Sequence, residues 1–281
     1  MARLTAASYV KISLIVLLAL VICSAAALNS CTGWFINFPG TGLSEIGNAK
    51  VDANKVRNID INWAAGSVDI KLHTQSDEIL LIESATGSLT RAQAMRWQLI
   101  GDTLRIDYGT WSSCSYPGTK HLEILIPEKY AGSLGRLDIN GASGRYSITD
   151  IGCSTLKISL ASGSLNATGM AVNDLRLEVA SGNSFFDGVV ANNLLLDTAS
   201  GRMEIVCRSN CPKTIDANMA SGTITLSIPE KDGFTASISQ VSGRFNSDFS
   251  MQQQGHNYVY NGGGATIKAN IVSGTFNLRK S

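Results

Sequence analysis

The sequence predicts an all-β chain wound as a parallel β-solenoid from Ser-Gly repeats of about 19–21 residues, and three observations carry that prediction. The first is a recurring phrase, apolar-x-apolar-x-x-small-Ser-Gly. It stands at 137–144 (LDINGASG), 156–163 (LKISLASG), 175–182 (LRLEVASG), 194–201 (LLLDTASG), 215–222 (IDANMASG), 236–243 (ASISQVSG) and 267–274 (IKANIVSG). The second is its spacing: the glycines step by 19, 19, 19, 21, 21 and 31 residues, and a period near 20 means stacked structural units. The third is the alternation inside each unit. Leu156, Ile158 and Leu160 occupy every second position, the period of a strand with one buried face. A lone unit cannot bury that face, whereas stacked units can, with like residues over like.

The chain opens on a short basic lead, residues 1–11, followed by 12–28 (ISLIVLLALVICSAAAL), which is almost wholly apolar. Seventeen such residues are the lower limit for a spanning helix, so 12–28 is expected to be a membrane anchor with the lead in the cytoplasm and the repeats outside. A cleaved signal segment with 24–27 as its small-residue site is the alternative. Lipidation at Cys23 or Cys31 is a third. Residues 29–55, rich in Gly, Asn and Ser, are expected to be a juxtamembrane linker.

The solenoid is expected over 56–281, with irregular coils over 56–136 and regular repeats over 137–281. At 59–66 (IDINWAAG) the repeat frame appears once, with Ala65 where Ser is expected, which marks a diverged first rung or an end cap. A strand is expected at 78–82, a short helix at 90–96, a hairpin of 97–100 with 103–108 about Gly101-Asp102, and a strand at 122–126 stopped by Pro127. In the repeats, a corner fixed at one place in every coil needs glycine, either for positive φ or for close backbone approach. Gly66, Gly144, Gly163, Gly182, Gly201, Gly222, Gly243 and Gly274 are those corners. The serine before the glycine recurs in seven units, which argues for a structural role and against a nucleophile. The long step between Gly243 and Gly274 reads as an excursion capping the open solenoid end, or as a binding loop with Tyr258 and Tyr260 as contacts.

The chain contains six cysteines: Cys23, Cys31, Cys114, Cys153, Cys207 and Cys211. Cys207 and Cys211 (CRSNC) flank a turn and could close a small disulfide. A metal reading is weak, because no second C-x-x-C exists and His73, His121 and His256 are far apart. No metal or cofactor is expected. Net charge is +1 with no basic stripe, which argues against nucleic acid as a partner. Carboxylates are scattered. Asp138 and Asp216 share one repeat position; Glu178 and Asp197 share another two residues on. Lys157, Arg176 and Lys268 fill the Asp138 position in other rungs, and mixed signs in one column suit a solvated ladder better than catalytic acids, calcium ligands or a glycosidase pair.

The first rung (IDINWAAGSVDI), the strand ending in IPEK at 126–129 (a phrase repeated at 228–231), and the run of ASG units resemble the bacterial putative-adhesin family, over about residues 55–279. That resemblance implies a β-solenoid-like cell-surface domain of unknown function, without a catalytic motif. The expected function is therefore non-enzymatic: a membrane-anchored surface protein binding a glycan, wall polymer or protein through a repetitive β face. A regulatory ectodomain acting with a membrane partner, and a polysaccharide-active enzyme, are the alternatives.

Overall fold

The computed structural model describes residues 43–109 and 117–281. The expected anchor, most of the linker, Cys23, Cys31 and Cys114 lie outside the described residues, and among the described residues no helix is long and apolar enough to cross a membrane.

The described chain is all-β. Two short strands, β1 (Glu45–Ile46) and β2 (Ala49–Asp52), precede β3 (Asn58–Trp63), β4 (Ser67–His73), β5 (Glu78–Ala85), β6 (Arg96–Ile100), β7 (Thr103–Asp107) and β8 (Lys120–Pro127). The repeats follow as β9 (Leu134–Gly141), β10 (Arg145–Thr149), β11 (Gly152–Leu160), β12 (Ser164–Val179), β13 (Asn183–Thr198), β14 (Arg202–Cys207) and β15 (Thr214–Ile228). The last segment holds β16 (Phe234–Gln240), β17 (Arg244–Ser247), β18 (Gln252–Gln254), β19 (Asn257–Tyr260) and β20 (Ala265–Lys280). Two expectations change here. Strands β1 and β2 fall inside 29–55, because they pair antiparallel with β6 and β5 as edge strands and need no repeat pattern of their own. Within the segment 90–96, where a short helix is expected, residues 90–94 form a hydrogen-bonded turn, with the Gln93 and Ala94 N–H groups donating to Thr90 O, and β6 starts at Arg96.

Each coil crosses two walls. Strands entering the Ser-Gly corner form one wall, in the parallel order β7, β3, β9, β11, the second halves of β12 and β13, the first halves of β15 and β20, then β16. Strands leaving the corner form the other: β8, β4, β10, the first halves of β12 and β13, β14, the second halves of β15 and β20, then β17. Register is kept residue over residue, so like positions stack. On the entry wall Leu104, Ile59, Leu137, Leu156, Leu175, Leu194, Ile215, Ile267 and Ala236 make one buried column. Each large aliphatic side chain there contributes roughly 1.5–3 kcal/mol of burial.

The corner glycines stack in the same way. A Cβ on Gly144 would stand 2.3 Å from Gly66 O, one on Gly201 2.2 Å from Gly182 O, and one on Gly222 2.3 Å from Gly201 O. Close approach therefore holds along the column. Gly274 and Gly243 close it without positive φ: their Cβ atoms would lie 2.7 Å from Gly222 O and 2.8 Å from Gly274 O respectively.

The stacking order departs from the order of the chain at both ends. The first rung, β3–β4, packs directly on β9–β10, while the intervening chain runs outward, lays β7 and β8 beyond it, and closes with antiparallel β5 and β6. At the other end β20 returns to pair with β15 on one side and with β16 and β17 on the other. The long step is thus an outer coil sealed by the antiparallel β18–β19 hairpin.

Candidate ligand-facing surface

Alternation that sends Leu and Ile inward sends the intervening residues outward, and register turns them into columns. On the entry wall one outward column reads Asp107, Asn62, Asn140, Ser159, Glu178, Asp197, Asn218, Asn270. Its members bond along the stack. Asn62 Nδ2 donates to Asp107 Oδ1 at 2.8 Å and Asn140 Nδ2 to Asn62 Oδ1 at 3.1 Å. Ser159 Oγ donates to Glu178 Oε2 at 2.7 Å. Asn218 Nδ2 donates to Asp197 Oδ1 and Asn270 Nδ2 to Asn218 Oδ1, both at 2.8 Å. The neighbouring column is charged and mixed: Arg105, Asp60, Asp138, Lys157, Arg176, Leu195, Asp216, Lys268. The register puts Asp138 and Asp216 in one column and Glu178 beside Asp197 in the other, as the repeat spacing implies.

The carboxylates differ in environment. Burial pushes the Asp197 carboxyl up, offset in part by the Asn218 hydrogen bond, with Glu178 beside it adding to the rise. Burial also acts to raise Glu178, but hydrogen bonds from Ser159 and Arg176 outweigh it and hold that carboxyl below its ordinary value. Burial raises Asp107 and Asp138. Glu178 and Asp197 spend their oxygens on Ser159, Arg176 and Asn218. That bonding makes them rungs of a polar ladder, with chemistry suited to holding a surface flat and presenting hydrogen-bonding groups at regular spacing. Among the described residues no group of three or more His, Cys, Asp and Glu side chains is arranged to hold a metal ion.

Tyr258 and Tyr260, the expected loop contacts, lie on β19 and turn toward the core. The Tyr260 ring stacks on Phe234 at 5.4 Å and meets Phe249 edge-on at 4.9 Å, and its hydroxyl donates to Glu230 O. Tyr258 lies 6.2 Å from Phe245. Both rings are part of the end cap. Cys207 and Cys211 are buried free thiols, as is Cys153, and burial pushes all three up to about 12.

One polar centre escapes the sequence reading. Lys120 is fully buried. Its ammonium meets Glu83 at 2.6 Å, donates to Gln93 O at 2.7 Å and to Tyr108 O, and lies 4.0 Å from the Tyr108 ring centre and 5.0 Å from that of Trp63. Both Glu83 oxygens accept the Met95 N–H. The signal was available: Lys120 heads the inward series Leu122, Ile124, Ile126. Its depth in the capping end, with every donor directed at protein, makes it a structural pin.

A parallel stack of coils with polar outer columns and antiparallel strands at both ends defines an all-β fold of the β-solenoid-like class. The chain belongs to the Toastrack DUF4097 family, whose model matches residues 56–210, more than half of its length. The resemblance to the putative-adhesin family thus holds, and the coils continue in register beyond the matched span to Lys280. Among solved structures, a putative cell adhesion protein from Clostridium sporogenes is 14% identical, with a TM-score of 0.39, over 84% of this chain and 99% of the other. A putative adhesin from Bacteroides fragilis is 10% identical, with a TM-score of 0.29, over 84% and 97%. No curated protein matches the chain.

Proposed function

We propose that this is a non-catalytic, membrane-tethered surface protein that binds a polymeric ligand, a glycan or wall polymer, through the outer face of its entry wall. The observation that supports this reading is the register-locked polar column from Asn140 to Asn270, the half-exposed part of the ladder beyond buried Asp107 and Asn62. A row of amide, hydroxyl and carboxylate groups repeating every strand, about 4.8 Å apart, offers a periodic partner many weak contacts in line, and such contacts add through avidity. The apolar segment 12–28 would hold the scaffold at the membrane with its coils outside.

The test is capture of polysaccharides and purified wall polymers by the full chain, solubilised in mild detergent and clustered on beads. Saturable capture that falls at least tenfold when Ser159, Asn218 and Asn270 are all changed to Ala supports the reading. Equal capture by the variant, with its melt unchanged, moves the binding surface elsewhere.

A further inference from the structure

The Cys207–Cys211 turn is where the repeat changes length. Gly188 pairs with Cys207 and Asn193 with Thr214 in consecutive coils. Four residues separate the first members of those pairs and six the second, so two residues are inserted between β14 and β15. Counted back from Thr214, Cys211 takes the place that Val190 holds one coil earlier, and the extra residues fall between the two cysteines. The inserted turn is held from outside. Arg208 pairs with Asp187, and Asn210 Nδ2 donates to Val190 O at 2.9 Å and Cys211 O at 3.2 Å. The Cys211 N–H donates to Asp232 Oδ2 at 2.6 Å. Both thiols are buried.

Gly188 and Val190 are two residues apart on β13 and both are buried. Positions so related in an extended strand have Cα atoms about 6.6 Å apart, inside the roughly 4.4–6.8 Å that a disulfide spans; their Cβ atoms start about as far apart, and the two extra residues of the turn give the slack to tilt them to the roughly 3.5–4.5 Å the bond needs. Gly188, under Cys207, has no side chain to compete for the interior. We infer that Cys207 and Cys211 are a redox pair that close a disulfide across the inserted turn when the chain folds in an oxidising compartment. The oxidant is a disulfide of low molecular weight or of an oxidoreductase. One cysteine thiolate attacks it, forming a mixed disulfide and releasing one thiol. The second cysteine thiolate then attacks the mixed disulfide, forming the Cys207–Cys211 bond and releasing the second thiol. The protein loses two electrons and two protons, and the oxidant gains them. Buried thiols are poor nucleophiles, so the bond forms during folding and is slow to form in the folded coil.

The full chain, in mild detergent, is unfolded, reduced, and refolded either with glutathione disulfide or with excess reductant. Free thiols are then blocked after unfolding and peptides are mapped without reduction. The expected result is a peptide linking Cys207 to Cys211 in the oxidised sample alone. A melting temperature higher by roughly 5 °C than in the reduced sample should accompany it, and the Cys207→Ala/Cys211→Ala variant should lose that difference. The Cys153→Ala variant should keep both signals. Recovery of Cys207 and Cys211 as blocked thiols from the oxidised sample, or of either one linked to Cys114 or Cys153, overturns the inference.

Discussion

Gly182 has φ 130°, and a Cβ there would stand 1.9 Å from Gly163 O and 3.0 Å from Gly163 C. Two separate costs meet at that atom: a backbone region L side chains avoid, and a clash with main chain that cannot move without parting two coils. The Ser-Gly phrase is thus a packing requirement between neighbours. Gly255 separates the two costs, because its φ is 62° but nothing lies within 4 Å of a built Cβ. Gly182→Val should therefore destabilise the stack by about 3 kcal/mol or more, while Gly255→Ala should cost about 1 kcal/mol. Paired thermal or denaturant melts decide it; equal losses at the two sites would refute the coil-to-coil contact. The serine beside each glycine follows the same logic: Ser162, Ser181 and Ser200 donate their backbone N–H to the residue one coil away.

At the scale of the strand, the outward polar column has one member with an unmet need. Asp107 is 1% exposed; Oδ1 takes the Asn62 hydrogen bond while Oδ2 is buried with no hydrogen-bond partner. Burial raises its folded pKa, with Asn62 and Arg105 opposing. A carboxyl with a raised folded pKa contributes stability that is fully present below its unfolded value, near 3.8, and is lost as pH rises through the folded value. Asp107→Asn keeps an acceptor for Asn62 and removes the charge. At pH 7 the variant should be more stable than the natural chain by up to about 1 kcal/mol, and acidification toward pH 4 should close the gap. Urea titrations of both proteins at the two pH values read this directly, and a gap independent of pH would assign the ladder no titrating member. The columns themselves were legible in the sequence, because a fixed period carries register: Glu178 and Asp197 sit 19 residues apart and do pair. Lys120 was not, although its place in the alternation puts it inside. A charged residue at an inward position counts against burial until its partners are known, and Glu83, Gln93 and Tyr108 come from other elements.

Over the whole molecule, what a local period cannot convey is the order of stacking. The sequence places the coil at 236–247 before that at 267–280, yet β20 lies on β15 and the earlier coil lies outside it. A sequence signal does exist: IDANMASGTITLSI in β15 and IKANIVSGTFNLRK in β20 share Ile, Ala-Asn and Ser-Gly-Thr at matched positions. Neighbours in a register-locked stack share side-chain ladders, as Asn270 on Asn218 shows. Residues 229–264 are then an inserted cap on a scaffold complete without them. Deleting 231–262 leaves Pro229, Glu230, Gly263 and Gly264 between Ile228 and Ala265. That is four residues, against three between Gly188 and Asn192 and five between Cys207 and Lys213 at the same turn, so β20 can still reach its place on β15. The shortened chain should keep its β-sheet circular dichroism and its buried columns from Leu104 to Ile267. It should also expose the outer edge of β20, a long strand of unpaired N–H and C=O groups that pairs with other chains. The expected outcome is a folded protein that associates more strongly with rising concentration in sedimentation than the natural chain. If the deletion instead unfolds the repeats, the outer coil is part of the core, and stability in this stack is not a sum over neighbouring coils.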